Sequence, residues 1–235
     1  MALRPAERAW QQQRQFVADA SHELKTPLTV ILANTGLVLS HPEDTVAAQS
    51  KWLEYTHDEA EQMKGLVDDL LFLAKSDAAR QPAARAETAI SEVALGCLLP
   101  FESVAFESGV ALEHRITLGL SLRGDEGQLR RLVMILLDNA VKYAGPGGTV
   151  TLTLERHQER LRLAVHNTGE PIPPEHLPHL FERFYRADAA RNRSGGGYGL
   201  GLAIARSIVE GHHGRLTVTS TAAAGTTFTA LFPRR

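Results

Sequence analysis

Apolar side chains recur at helical spacing through the first 75 residues of the chain. At about 100° per residue, Phe16, Ala20, Leu24, Leu28, Ile31, Thr35 and Val38 share one face. This predicts a single helix from residue 1 to about 40. The run Ser40-His41-Pro42-Glu43-Asp44 breaks the pattern, and Asp44 or Thr45 can cap a second helix. In that helix Trp52, Tyr55, Glu59, Met63, Leu66, Leu70 and Leu73 recur every three or four positions. Two long amphipathic helices joined by a short loop form an antiparallel hairpin. A hairpin cannot enclose its own apolar seam, so a second copy completing a four-helix bundle through residues 11–77 is the expected partner. The competing expectation is that the seam packs on the rest of the same chain.

From Ser76 the composition turns to Ala, Arg, Gln and Pro, which predicts a linker over 78–88 between a helical unit at 1–77 and a second domain at 89–235. The second domain mixes both periods. Ile90 to Ser108 reads as a helix loosened around Pro100, and Ala111 to Leu122 as extended. Gly124-Asp125 opens a helix in which Leu129, Leu132, Val133, Leu136, Ala140 and Tyr143 share a face. Alternation predicts strands at Val150–Leu154 and Leu161–Val165. A helix follows at Leu200–Glu210, and strands at Leu216–Thr219 and Thr226–Phe232 close the domain. The predicted fold class is therefore multidomain, α and α/β: a helical hairpin followed by an α/β sandwich with helices on one face of its sheet.

Of the 235 residues 43% are hydrophobic, ample for a core, and a formal charge of −2 offers no footprint for nucleic acid. One cysteine, Cys97, excludes an internal disulfide framework. No run of about 18 to 20 apolar residues and no signal peptide occurs, which predicts a cytoplasmic chain. A first helix that opens without a cap predicts that it continues a coiled segment from a sensor region upstream, and only such a region would bring a membrane anchor.

Chemistry concentrates first at Ser21-His22-Glu23-Leu24-Lys25-Thr26-Pro27-Leu28-Thr29, where His22 lies opposite the apolar stripe and Pro27 interrupts the helical hydrogen bonding. A His-Glu-x-x-His zinc site is excluded because Thr26 holds the last position. The second concentration is Gly195-Gly196-Gly197-Tyr198-Gly199-Leu200-Gly201, glycines at a helix entry, suited to phosphate. No strand leads into it and no Gly-Lys-Ser/Thr follows, so it is neither a dinucleotide fingerprint nor a P-loop.

The first run resembles the phosphoacceptor box of bacterial sensor histidine kinases. The rest of the chain carries, in order, segments similar to the N, G1, F, G2 and G3 boxes of the ATP-binding domain of that family. These are Leu136–Tyr143, Val165–Pro173, Leu180–Arg186, the glycine cluster, and Gly225-Thr226-Thr227-Phe228. The resemblance implies ATP and Mg²⁺ as cofactors, phosphorylation of His22, and passage of the phosphoryl group to an aspartate of a response-regulator receiver domain. It implies Glu23 as general base, Thr26 as the residue orienting a water for the regulator's dephosphorylation, and Arg186 as a cation at the transferring group. Asn139 would ligate Mg²⁺, and Lys142 would meet phosphate. Tyr143, Asn167, Gly169, Gly197, Tyr198, Gly199, Leu200, Gly201 and Thr227 would complete the nucleotide site.

One departure concerns the G1 segment, where the family has Asp-x-Gly-x-Gly. Asn167 replaces the aspartate that accepts from the adenine amino group, and Pro171 replaces the second glycine. An uncharged amide accepts more weakly, and proline stiffens the loop. That departure keeps open a nucleotide-binding adaptor without activity; a stand-alone ATPase of the same fold is a further alternative, but it would leave the His-Glu-x-x-Thr-Pro run without a purpose.

Overall fold

The computed structural model describes residues 3–78, 86–187 and 197–233. Helix α1 (Leu3–Ser40) runs unbroken across Pro27 and turns into α2 (Val46–Ala78). Thr45 caps α2 by accepting from the Ala48 amide at 3.2 Å. Gln49 closes the turn from α2, its buried Nε2 donating to the carbonyls of Val38 at 3.3 Å and His41 at 2.7 Å.

The hairpin packs through a face centred on buried Pro27 and Asn34, beside the half-buried Ala20, Ile31 and Val38. Leu28 does not join it. It is 46% exposed, and Leu32, at 63%, follows it onto the same open side. Four positions on, an apolar residue has rotated only about 40°, so a stripe this wide serves two contacts, and the hairpin satisfies one of them. On α2 the residues Val46, Leu53, Ala60 and Val67 stay exposed at seven-residue spacing. Tyr55, expected on the packed face, is 47% exposed, whereas Leu66 and Leu73 are buried.

The second unit is built on a five-stranded mixed sheet in the order β2-β4-β5-β7-β6. Its strands are β2 (Ala111–Ile116), β4 (Thr149–His157), β5 (Arg160–Asn167), β6 (Arg215–Thr221) and β7 (Gly225–Pro233). β2 pairs parallel with β4 and all other pairs are antiparallel. Alternation buries Val150, Leu152 and Leu154, Leu161, Leu163 and Val165, and Phe228, Ala230 and Phe232 on one face. The helices α3 (Ile90–Glu107), α4 (Glu126–Ala144) and α5 (Gly201–Gly211) cover that face.

Three local expectations give way here. α3 continues through Pro100, which sits on its exposed side, where loss of one amide bond disturbs no packing. The extended run from Ala111 ends at Ile116, where a turn with Gly119 at φ +70° leads into β3 (Leu122–Gly124). β3 pairs with β1 (Ala86–Thr88), so the end of the expected linker is a strand, while residues 79–85 lie outside the described residues.

β3 is also tied to the end of α5. His212 Nδ1–H donates to the Ile208 carbonyl at 2.7 Å, and its Nε2 accepts from the Asp125 amide at 3.0 Å. Both bonds hold only for the neutral ring with its proton on Nδ1. A Cβ at Gly124 would stand 2.8 Å from the His212 ring, which explains the glycine.

The two units touch along one side of the hairpin. Arg131 of α4 pairs with Asp69 of α2 and lies 4.6 Å over the Phe72 ring. The Phe16 and Phe184 rings stand 5.9 Å apart.

Candidate functional site

Helix α4 sets one wall of a cleft of about 830 Å³. Asp125 caps the helix by accepting from the Gln128 amide at 2.9 Å. With Leu129, Leu132, Val133, Leu136, Leu137 and Ala140 turned to the sheet, the other edge presents Ile135, Asp138, Asn139 and Lys142 to the cleft. Tyr143, expected on the packed face, is instead part-exposed at the cleft rim. Asn167 at the end of β5 and Thr226 and Phe228 of β7 form the floor. Gly169 to Pro173, Tyr185, Arg186, Gly197, Gly199 and Gly201 form the far side.

The glycines are dictated by contact. A Cβ on Gly169 would sit 2.2 Å from the Tyr143 carbonyl oxygen, and one on Gly199, at φ +71°, would sit 2.8 Å from the Phe184 backbone. Gly199 in turn accepts from the Phe184 amide at 3.0 Å, which fastens the glycine-rich segment to the wall.

The cleft is electrically lopsided. Burial holds the Lys142 ammonium below its ordinary pKa, Asp138 opposes that shift, and Arg186 adds to it. Burial likewise raises the Asp138 carboxyl against the pull of Lys142, although the residue keeps contact with solvent. Lys142, Arg186 and the amide end of α5 together bring positive charge and N–H donors to one part of the cleft, a fit for phosphate oxygens. The lining also holds Asn167, only 2% exposed, with the apolar Ile172 and Phe228 and the hydroxyl of Thr226, and Glu170 on the loop that follows β5. Cationic and apolar lining together suit a phosphate-bearing ligand with a flat apolar group. Asn139 could offer a carboxamide oxygen to Mg²⁺. No cluster of three or more His, Cys, Asp or Glu side chains exists among the described residues, so the other ligands would come from phosphate and water.

His22 lies outside this cleft. With Asp19 and Glu23 it forms one wall of a shallower groove of about 360 Å³, whose other wall is Glu182, Arg183, Phe184 and Tyr185. His22 and Thr26 are exposed, and Glu23 is half-buried. Tyr185 lines both the groove and the cleft. It is held by a 2.6 Å hydrogen bond between its hydroxyl and His176 Nδ1, and by the His179 ring 5.4 Å away.

Of the residues expected at the nucleotide site, the structure gathers Asn139, Lys142, Tyr143, Asn167, Gly169, Arg186, Gly197, Gly199 and Gly201 into one cleft. Three stand elsewhere. Thr227 pairs with His166 on the opposite face of β7, and its neighbour Thr226 reaches the floor. Leu200 is fully buried beneath the start of α5. Tyr198 turns toward the hairpin, where burial and then Glu59 and Glu23 raise its phenol pKa. Gly195 and Gly196 lie outside the described residues. Sequence reasoning missed Thr226, Tyr185 and His176. The first needed strand parity, which Gly225 obscures, and the other two needed the path of an irregular segment.

Comparison with known proteins agrees with this geometry. The model of histidine kinase-, DNA gyrase B- and HSP90-like ATPases matches residues 124–235, and that of the His Kinase A (phospho-acceptor) domain matches residues 12–79. The sensor histidine kinase YkoH of Bacillus subtilis is 40% identical over 223 residues, 95% of this chain and 48% of that protein. A solved mycobacterial sensor histidine kinase, MprB, is 31% identical with a TM-score of 0.56, covering 64% of this chain and 98% of that one. The histidine kinase ThkA, solved in complex with the response regulator TrrA, shares the fold at 20% identity and a TM-score of 0.71. The match covers 100% of this chain and 67% of that one. The chain spans about half the length of the curated relatives it matches.

Proposed function

The chain belongs to the sensor histidine kinase family, and we propose that it phosphorylates itself on His22 from Mg-ATP and passes the phosphoryl group to an aspartate of a response-regulator receiver domain. The observation that carries this reading is the sharing of Tyr185 between the cationic cleft and the His22 groove. Mg-ATP supplies the transferable phosphoryl group. Lys142 and Arg186 bind and neutralise the phosphates, Asn139 holds the cation, and the glycines at 197, 199 and 201 let backbone approach closely. His22 acts as nucleophile through Nε2, and Glu23, one residue on, takes or holds the proton at Nδ1. Thr26, one helical turn below, orients water for dephosphorylation of the regulator. The domains divide between Ala78, the end of α2, and Ala86, where β1 already belongs to the second unit.

The working unit is a homodimer. The seam of Leu28, Leu32 and Leu39, and that of Val46, Leu53, Ala60 and Val67, have the spacing of a second helix-packing face, which a partner hairpin would cover. No helix among the described residues is long and apolar enough to cross a membrane. We place the chain in the cytoplasm, with any anchor in a sensor region outside it.

Incubation with γ-labelled Mg-ATP tests the reading. Label retained on the protein, stable to alkali and lost in acid, is expected. Label released only as free phosphate would make the chain an ATPase. Nucleotide binding without either product would make it an adaptor, the alternative that Asn167 and Pro171 motivate.

A further inference from the structure

The base-recognition end of the cleft carries an amide in place of a carboxylate, and the structure shows how that amide is held. Asn167 is 2% exposed, at the end of β5. Its Nδ2 donates to the Thr168 carbonyl at 3.2 Å, a long bond, and its Oδ1 has no partner among the described residues. The neighbouring floor hydroxyl, Thr226 Oγ1, is engaged with Ser220 Oγ at 2.7 Å. With the phosphates held by Lys142 and Arg186, a bound base would meet Asn167 as a buried polar reader in the same cleft.

A carboxylate only accepts hydrogen bonds. It suits the 6-amino group of adenine and repels the 6-oxo group of guanine. An amide accepts at one atom and donates at the other. With Oδ1 toward position 6 it accepts from the adenine amino group while Nδ2 donates to N1. Turned about its last torsion, it donates to O6 of guanine and accepts from N1–H. The turn gives up only the 3.2 Å bond to Thr168.

We propose that Asn167 makes the cleft accept 6-oxopurine nucleotides alongside ATP, with GTP bound within about tenfold of ATP. The inference rests on the nucleotide reading above. Calorimetric titration of the whole chain with Mg-ATP, Mg-GTP and Mg-ITP tests it without any turnover. ITP keeps the 6-oxo group and lacks the 2-amino group, so it should follow GTP. Asn167→Asp should keep ATP binding and weaken GTP and ITP by about tenfold or more. Asn167→Ala should weaken all three alike, and retained ATP binding in the aspartate variant shows that it folds. Wild-type binding of ATP with GTP about a hundredfold weaker would overturn the inference and leave the nucleotide site intact. So would an unchanged ratio in Asn167→Asp. Failure of all three nucleotides to bind would overturn both.

Discussion

Arg183 Nη2 donates to both carboxylate oxygens of Asp77, at 2.7 and 2.8 Å, joining the segment beside the cleft to the end of α2. The same guanidinium lies 4.9 Å over the Phe16 ring, which itself meets Phe184. Asp77 is half-exposed, so solvent screens the pair, and its coupling should be about 1 kcal/mol at most. A double-mutant cycle with Asp77→Ala and Arg183→Ala, read by thermal unfolding, measures it. Both single variants should also loosen the units, seen as a larger radius of gyration in solution scattering. Unchanged scattering would show that the apolar contacts alone hold the units.

Gly169→Ala should be far more costly than its one methyl suggests. The new Cβ would lie 2.2 Å from the Tyr143 carbonyl oxygen, so either the G1 loop or the end of α4 must move. A loss of about 2–4 kcal/mol and of nucleotide binding is expected from chemical unfolding and calorimetry. Gly119→Ala is the comparison. It too has a positive φ but open space around it, so about 1 kcal/mol and no change in binding are expected.

Asp69 gives the interface a pH dependence. Burial raises its carboxyl pKa despite Arg131, so the folded chain holds the proton to higher pH than the unfolded chain. Between the ordinary carboxylate value and that raised value the folded state binds more protons, and stability must fall as pH rises through the window. Asp69→Asn should flatten this part of the curve of melting temperature against pH. A curve parallel to wild type would assign the slope to other groups.

His212→Phe keeps an aromatic ring, a somewhat larger one, at this buried position and removes both side-chain hydrogen bonds. The Asp125 amide at the entry to α4 loses its partner, while the Ile208 carbonyl gives up the ring bond and keeps the one from the residue 212 backbone amide at 3.0 Å. A stability loss of about 2–3 kcal/mol is expected by denaturant unfolding. A loss below about 0.5 kcal/mol would mean that water replaces the imidazole.

Where the sequence was legible, and where it was not, follows from the range of the determining contacts. Helices α4 and α5 and strands β4, β5 and β7 announce themselves because each buries one face on the same sheet, so period and partner agree. The cleft residues Asn139, Lys142 and Arg186 were readable because their segments stand in a recognisable order. Leu28 was assigned to the packed stripe because two apolar seams overlap on one helix, and spacing alone does not divide them. Thr226 and Thr227 exchange roles with one step of register, which the pairing of Thr226 with Asn167 fixes and the sequence does not. Tyr198 stands outside the cleft lining for a related reason. A glycine-rich neighbourhood leaves its direction to tertiary contacts, here the side of the hairpin carrying Glu23 and Glu59.

The central claim is that the cleft serves His22. The most direct measurement is peptide mapping of the label taken up from γ-labelled Mg-ATP, comparing the wild-type chain with His22→Gln. Acid-labile label on the peptide that contains His22, none in the His22→Gln variant, and unchanged nucleotide binding in both are expected. Equal labelling of the variant, or label mapped to any other residue, would contradict it.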